Sequence, residues 1–177
     1  MWEVPQEVWL TSGVGEGSTR LNAFDKALFS AGIANLNLMR VTSILPARAK
    51  IVDLRQIGKQ VDIPFGCLVP TVYTTISSDC PGQNIACGLV IAVPEDPDVN
   101  GVIFEVSLHG GAGEAERILD GMAEEAAALR QMKKFRVIKA ISEYTVERRV
   151  GCVVAAALMI PRSLQRKGDF EVPCGAG

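Results

Sequence analysis

The sequence has few aromatic residues, a single histidine and no large excess of either charge. Aromatic residues make up 6% of the 177 residues, so the core must be built mainly from Val, Ile, Leu and Ala. The formal net charge is −2, with acidic and basic residues interspersed. This balance argues against a nucleic-acid-binding surface or a membrane-binding patch, and we expect neither partner.

Long hydrophobic segments are also missing. The longest apolar run covers residues 153–160, which suits a buried strand and is too short to span a bilayer. Residues 1–5 lack the basic start and the apolar segment of a signal peptide. We therefore expect a cytoplasmic protein.

The cysteines and the histidine exclude further kinds of site. There are five cysteines, an odd number, and none lies in a CxxC motif, which argues against a disulfide framework or a zinc site. We expect Cys67, Cys87 and Cys152, which lie in apolar runs, to be small buried core residues. His109 alone cannot build a metal site from several histidines, and nothing identifies triad partners for it.

The length and the order of the hydrophobic patterns predict the fold class. A chain of 177 residues can form one domain with a substantial core. The patterns predict a strand and a helix, then several strands, a second helix and two closing strands. We expect an α/β fold of the α+β type, layered as a sandwich. One domain should cover residues 1–160, and residues 161–177 should form a loose polar tail.

The first part of the chain makes two local predictions. After a strand at residues 7–12, the Gly-x-Gly-x-Gly of residues 13–17 lacks the spacing of a phosphate-binding motif and predicts a flexible loop. Residues 18–31 predict a helix that ends at Gly32. Its apolar face should consist of Leu21, Phe24, Leu28 and Ala31.

The last part of the chain predicts a helix followed by a hairpin. Residues 114–133 carry an apolar stripe at helical spacing, with acids early and lysines late. Residues 135–146 and 151–160 are apolar enough for two strands. We expect these strands to pair with each other across a turn at residues 147–149.

Residues 35–46 contain the polar pair of most interest. They predict a strand that runs into a sharp turn and stops before Pro46, which cannot donate into a ladder. A hydroxyl at the end of a strained strand can attack its own preceding carbonyl, which makes Ser43, next to Thr42, a candidate nucleophile. The alternative, favoured by pattern alone, is that both hydroxyls satisfy backbone groups. Asn37 either points toward the turn or is an ordinary exposed strand residue.

Two carboxylates also stand out. Glu105 interrupts an apolar strand at residues 101–108. It either faces solvent on an alternating strand or is desolvated, and desolvation would raise its pKa and make it a proton donor at neutral pH. Asp25 follows Phe24 at the edge of the apolar face of the first helix. It is either a solvated helix residue or an anchor for a cationic ligand.

Taken together, these segments resemble the pyruvoyl-dependent arginine decarboxylases. The resemblance runs collinearly over residues 8–160 and includes a self-cleavage site. The matching segments are LNAFD at residues 21–25, AGI at 31–33, NLNL at 35–38, VTSILP at 41–46, GCLVPT at 66–71, SD at 78–79, PG at 81–82, Glu105, Glu143, TVE at 145–147 and GC at 151–152.

The resemblance implies a proenzyme that cleaves itself between Thr42 and Ser43 into chains 1–42 and 43–177. The Ser43 hydroxyl would attack the Thr42 carbonyl, and the resulting ester would be converted into a covalent pyruvoyl cofactor at the new N-terminus. Asn37 corresponds to the family's asparagine near the cleaved bond, where it would stabilise the oxyanion.

The resemblance also implies the reaction and the assembly. The pyruvoyl group would form a Schiff base with L-arginine and accept the electrons released with CO₂, so that agmatine is the product. Glu105 corresponds to the acid that reprotonates the α-carbon, and Asp25 to the contact of the guanidinium. The family fold is a four-layer α-β-β-α sandwich. It assembles as a homotrimer or a dimer of trimers, with active sites between subunits.

Two departures from the family pattern leave alternatives open. Position 42 is Thr where many relatives have Ser, and Ala34 replaces a glycine that is common just before the substrate-lining strand, a change expected to narrow the pocket. The same pyruvoyl chemistry on another amino acid is therefore an alternative. A second alternative is an unprocessed binding or assembly protein with the same fold.

Overall fold

The computed structural model describes residues 3–57 and 63–165 of the chain. These residues form nine β-strands, three α-helices and one 3₁₀ helix. The strands are β1 (Glu7–Gly17), β2 (Asn37–Arg40), β3 (Ile44–Leu45), β4 (Lys50–Asp53), β5 (Leu68–Ser78), β6 (Asn84–Pro94), β7 (Gly101–Leu108), β8 (Phe135–Thr145) and β9 (Val150–Ile160). The helices are α1 (Arg20–Ser30), α2 (Leu54–Ile57) and α3 (Ala112–Leu129), and the 3₁₀ helix is Arg162–Gln165.

The nine strands divide between two sheets. A five-stranded sheet has the order β2-β5-β9-β1-β4, and a four-stranded sheet has the order β3-β7-β6-β8. Neighbouring strands are antiparallel except for the pairs β1–β4 and β2–β5, which are parallel. Two sheets with few helices confirm the α+β type that the order of the patterns predicts.

Three clusters of buried apolar side chains hold these elements together. One cluster joins the two sheets, with Leu10 and Val153 from the five-stranded sheet and Leu89 and Ile103 from the four-stranded sheet. A second cluster joins α1 to the five-stranded sheet, and a third joins α3 to the four-stranded sheet. Among the described residues no aromatic side chain is fully buried, which agrees with the aliphatic core that the composition predicts.

The glycine-rich residues 13–17 do not form the predicted flexible loop. They are the second half of β1 and pair with β9 over their whole length. A Cβ atom added to Gly15 would lie 2.5 Å from the carbonyl oxygen of Ala23 and the amide nitrogen of Ala27. The prediction was wrong because glycine here serves close packing of helix backbone on strand backbone, which a single sequence does not distinguish from flexibility.

Helix α1 has the predicted ends, and its buried face differs in part from the predicted one. Thr19 caps it by accepting a hydrogen bond from the backbone N–H of Asn22, and Gly32 follows it with a φ of 77°. Leu28 and Ala31 are buried as predicted and Phe24 is partly buried, whereas Leu21 is 76% exposed. The other residues of the buried face are small alanines, because only small side chains fit where α1 lies on the glycines of β1.

Strands β8 and β9 exist as predicted but do not form a hairpin. β8 pairs with β6 in the four-stranded sheet, and β9 lies between β1 and β5 in the five-stranded sheet. Residues 146–149 cross between the sheets, and Val146 is buried in the cluster that joins them. The hairpin prediction was wrong because two apolar strands joined by a short link can pair with each other or with different sheets.

The remaining predictions have mixed outcomes. Helix α3 begins two residues earlier than predicted and ends at Leu129, four residues earlier. Cys87 and Cys152 are buried as expected, but Cys67 is only partly buried. No helix of residues 3–57 and 63–165 has the length and apolar character needed to cross a membrane. Most of the predicted loose tail, residues 166–177, lies outside the described residues.

Candidate active site

The segment predicted to carry the nucleophile crosses from one sheet to the other. β2 is an edge strand of the five-stranded sheet, and β3 is an edge strand of the four-stranded sheet. Thr42 and Ser43 lie in the three-residue link between these strands, and β3 ends before Pro46 as predicted. The Thr42–Ser43 bond therefore lies between the edges of the two sheets, and neither residue belongs to a β-strand.

Backbone hydrogen bonds hold Ser43 within this link. Its carbonyl oxygen accepts a 2.9 Å hydrogen bond from the N–H of Ile103 on β7. The N–H of Ile44 donates a 3.2 Å hydrogen bond to the carbonyl oxygen of Thr42, which closes a three-residue turn over Ser43. Neither Thr42 nor Ser43 has a positive φ, so the bond carries no left-handed backbone strain. Ser43 is half-buried and Thr42 is exposed.

Glu105 lies on β7, two residues beyond Ile103. Because side chains alternate along a strand, Glu105 shares the face of Ile103, which packs between the two sheets. Val102 and Phe104 point the opposite way, toward α3. Glu105 is half-buried, and burial raises the pKa of its carboxyl above the ordinary value. The side chains of Arg40 and Ser43 lie near enough to oppose that rise in pKa. The structure thus brings Ser43 and Glu105 together from segments 62 positions apart in the sequence.

Arg40 is the residue of this site that sequence reasoning missed. Its guanidinium lies over the ring of Tyr73, with 4.8 Å from Cζ to the ring centroid. One guanidinium nitrogen also donates a 2.6 Å hydrogen bond to the carbonyl oxygen of Tyr73. These two contacts fix a positive charge near Glu105. The sequence signal that could have identified Arg40 was a charged side chain in the predicted strand, three residues before Ser43.

Asn37 lies at the far end of β2 from the Thr42–Ser43 bond. Its side-chain nitrogen donates a 2.7 Å hydrogen bond to the carbonyl oxygen of Gly66, and its backbone N–H donates to the carbonyl of Cys67. From Asn37 to Arg40 the chain is extended, which is roughly 10 Å of strand. Within one chain, the side-chain amide of Asn37 therefore forms its hydrogen bond at a distance from Ser43.

Asp25 lies on the exposed side of α1. Leu21, Asp25 and Phe29 follow at four-residue intervals, so they share one face of the helix, and all three are exposed. No hydrogen bond or ion pair connects Asp25 with Ser43, Glu105 or Asn37 in the part of the chain that the structure describes. Of the five predicted site residues, the described part of one chain thus brings together the cleavage pair Thr42–Ser43 and Glu105, and it connects neither Asn37 nor Asp25 with them.

Comparison with known proteins points to one family. The family model described as pyruvoyl-dependent arginine decarboxylase matches residues 7–164. A protein of that name from Methanocaldococcus jannaschii is 40% identical over 158 residues, which cover 89% of this chain and 92% of the relative. Its counterpart from Methanococcus maripaludis is 39% identical with the same coverage. The one from Thermococcus sibiricus is 38% identical over 160 residues, or 90% of this chain and 98% of the relative.

Proposed function

Because the chain belongs to the pyruvoyl-dependent arginine decarboxylase family, we propose that it converts L-arginine to agmatine and CO₂ with a pyruvoyl group made from its own Ser43. One observation supports this most directly: Ser43 lies in the link between two sheet edges, beside a half-buried carboxyl whose pKa is raised. A nucleophile precursor and a proton donor are thus close together.

The residues around position 43 fit the formation of the pyruvoyl group. Attack of the Ser43 hydroxyl on the Thr42 carbonyl breaks the peptide C–N bond, forms an ester and frees the amine of residue 43. Elimination then releases Thr42 as a carboxylate, and hydrolysis of the remaining enamine releases ammonia and leaves the pyruvoyl group. The products are chains 1–42 and 43–177. The bond from Ile103 to the Ser43 carbonyl would keep residue 43 in place throughout.

Three side chains would serve the decarboxylation. When formed, the pyruvoyl carbonyl supplies the electron sink for loss of CO₂. Glu105 stays protonated to a higher pH than an exposed glutamic acid and delivers a proton to the substrate α-carbon. The positive charge of Arg40 limits the rise in the pKa of Glu105. Asp25 pairs with the substrate guanidinium.

A second copy of the chain would complete the active site in a homotrimer. Pairing of two such trimers into a dimer of trimers would use another surface. Asp25 and Asn37, which lie away from Ser43 in one chain, are both flanked by exposed apolar side chains. Phe29 on the face of Asp25 is 76% exposed, and Leu68, the register partner of Asn37, is 67% exposed. Such apolar surface is typical of an interface, and a copy that covers it would carry Asp25 and Asn37 to the Ser43 of its neighbour.

The layering, the domain and the location belong to the same proposal. The three apolar clusters support a four-layer α-β-β-α sandwich with α1 and α3 outside. Residues 1–160 would form the single catalytic domain. Cytoplasmic action would keep the exposed thiol of Cys80 reduced.

Intact mass under denaturing conditions tests the proposal first. We expect two chains that end and begin at the Thr42–Ser43 bond, and one uncleaved chain for Ser43→Ala. CO₂ release from arginine, ornithine, lysine and histidine then tests the substrate. If the cleaved enzyme prefers another amino acid, the alternative in which Ala34 narrows the substrate pocket and changes the substrate would be favoured. A wild-type chain that stays whole after long incubation would favour an unprocessed binding protein.

A further inference from the structure

The backbone N–H of Ile44 points at the carbonyl that self-cleavage must attack. It donates to the carbonyl oxygen of Thr42 at 3.2 Å, across the turn that is centred on Ser43. That oxygen would bear the negative charge when the Ser43 hydroxyl adds to the carbonyl carbon. A donor already directed at it requires no rearrangement as the charge develops.

The register of β3 and β7 explains why this N–H is free to serve the carbonyl. Ile44 lies opposite Val102, and the N–H of Ile103 donates to the carbonyl of Ser43. In an antiparallel pair, hydrogen-bonded and non-hydrogen-bonded residue pairs alternate. The 43–103 pair is hydrogen-bonded, so the N–H of Ile44 points away from β7. β3 is also the edge strand of its sheet, so no other strand of the described residues competes for this donor.

We propose that the backbone N–H of Ile44 is an oxyanion donor for cleavage of the Thr42–Ser43 bond. This inference rests on the self-cleavage proposed above. In the first step the Ser43 oxygen bonds to the Thr42 carbonyl carbon, its proton leaves to solvent or a nearby base, and the carbonyl electrons move to the oxygen that faces Ile44. Collapse of this species expels the amine of Ser43, which takes up a proton, and the ester remains.

The position of Asn37 supports a backbone donor. In one chain its side-chain amide donates to Gly66 and lies at the other end of β2. The Ile44 N–H, by contrast, belongs to the residue next to the nucleophile and moves with it. The two donors are not exclusive, but among the described residues of one chain only the Ile44 N–H donates to the Thr42 carbonyl.

Two substitutions at position 44 distinguish the effect of the backbone N–H from the effect of the side chain. Ile44→Pro removes the N–H without removing a ladder hydrogen bond, and proline is tolerated on edge strands. Ile44→Ala keeps the N–H and shortens a side chain that is 46% exposed. Intact mass should show cleavage of the alanine variant at close to the wild-type rate. The proline variant should be slower by about 10²–10³-fold, the usual effect of losing one oxyanion donor.

An ester substitution provides a second test in case the proline variant misfolds. Replacement of Ile44 by the corresponding α-hydroxy acid exchanges the N–H for an oxygen and keeps the side chain. It should slow cleavage at Thr42–Ser43, and hydroxylamine should trap less of the Thr42–Ser43 ester than in the wild type. Mass distinguishes this cleavage from hydrolysis of the new ester bond after Ser43.

The possible outcomes distinguish this inference from the proposed function. If the wild-type chain does not cleave itself, the proposed function fails and this inference fails with it. If the wild type cleaves and both N–H-deficient variants cleave as fast, only the role of Ile44 is overturned. Equal slowing by Ile44→Ala and by the ester would also overturn it, because the side chain would then be responsible.

Discussion

The backbone N–H of Ile103 donates a 2.9 Å hydrogen bond to the carbonyl oxygen of Ser43. This bond fixes the register of β3 on β7, and with it the place of Glu105 two residues further on. A slip of one residue would turn Glu105 toward α3 and Phe104 toward Ser43. The proposed proton donor is therefore positioned by the same strand that holds the bond to be cleaved.

Replacing Glu105 by Gln should separate cleavage from decarboxylation. The amide cannot deliver a proton, so we expect kcat to fall by about 10²–10⁴-fold, the usual contribution of a general acid. The chain should still cleave at Thr42–Ser43, because Ser43 and the Ile44 N–H remain. Intact mass and CO₂ release on the same preparation check both parts. Unchanged kcat in a fully cleaved variant would remove Glu105 from the mechanism.

The pH dependence of kcat should report the pKa of Glu105. Burial raises this pKa, so the protonated donor persists to a higher pH than for an exposed glutamic acid. Activity should be present below the raised pKa and should decline as the pH rises through it. Replacing Arg40 by Gln removes the opposing positive charge and should move this decline to higher pH. A profile that does not move would show that Arg40 does not act on Glu105.

Two glycine substitutions should have opposite effects on stability. Gly15→Ala places a Cβ 2.5 Å from backbone atoms of α1, and these atoms cannot shift without moving the helix. The substitution should therefore lower the free energy of unfolding by about 1–3 kcal/mol or more. Gly121→Ala on α3 meets no atom within 4 Å and should stabilise by about 0.5–1 kcal/mol. Urea unfolding of both variants provides the comparison. Equal tolerance at both positions would mean that α1 does not rest on β1 so closely.

The exposed phenylalanines should control assembly. Phe29 and Phe65 are 76% and 82% exposed and line one small cavity, so replacing both by Ser should weaken a trimer built on this surface. Light scattering should show smaller particles, with lower activity because Asp25 no longer reaches a neighbouring site. Leu129→Ser is the matched control, since Leu129 is 77% exposed but lies on α3. If only the Leu129→Ser control dissociates, the interface between copies must lie on α3 and not around Phe29 and Phe65.

Glu143 should make stability sensitive to acid. Its carboxylate accepts hydrogen bonds from the side chain of Asn84 at 2.6 Å and from the N–H of Ala112 at 2.8 Å, at the start of α3. These bonds lower the pKa of Glu143 below its ordinary value, so its stabilisation is present above the unfolded pKa and is lost as the pH falls through the folded pKa.

Thermal unfolding near neutral pH and at about pH 4 tests this pH dependence, with Glu143→Gln as the comparison. The variant should be less stable than the wild type near neutral pH, and the difference should shrink in acid. Glu114→Gln is a suitable control, because Glu114 lies in the first turn of the same helix and is exposed like Glu143, but its carboxylate accepts no hydrogen bond from the described residues. A difference that is constant with pH would mean that Glu143 acts through its shape and not through its charge.

The sequence by itself determined most of the elements and, through the family pattern, the chemistry. Alternation along residues 101–108 placed Glu105 with Ile103, and the hydroxyl residues at 18–19 and Gly32 marked the ends of α1, because these signals are local and depend on backbone geometry alone. The segment around Thr42 and Ser43 was recognised from the family pattern, since residue types near a bond can be read without knowing their neighbours.

The tertiary structure decided which elements meet. β8 and β9 join different sheets, and residues 13–17 are strand under a helix, because pairing partners and close packing depend on distant residues. The placement of Arg40 near Glu105 and of the Ile44 N–H on the Thr42 carbonyl depends on the crossing between sheets. The lack of a hydrogen bond or ion pair between Asp25 and Ser43 among the described residues of one chain likewise follows from the fold, and it is why we propose that a second copy completes the site.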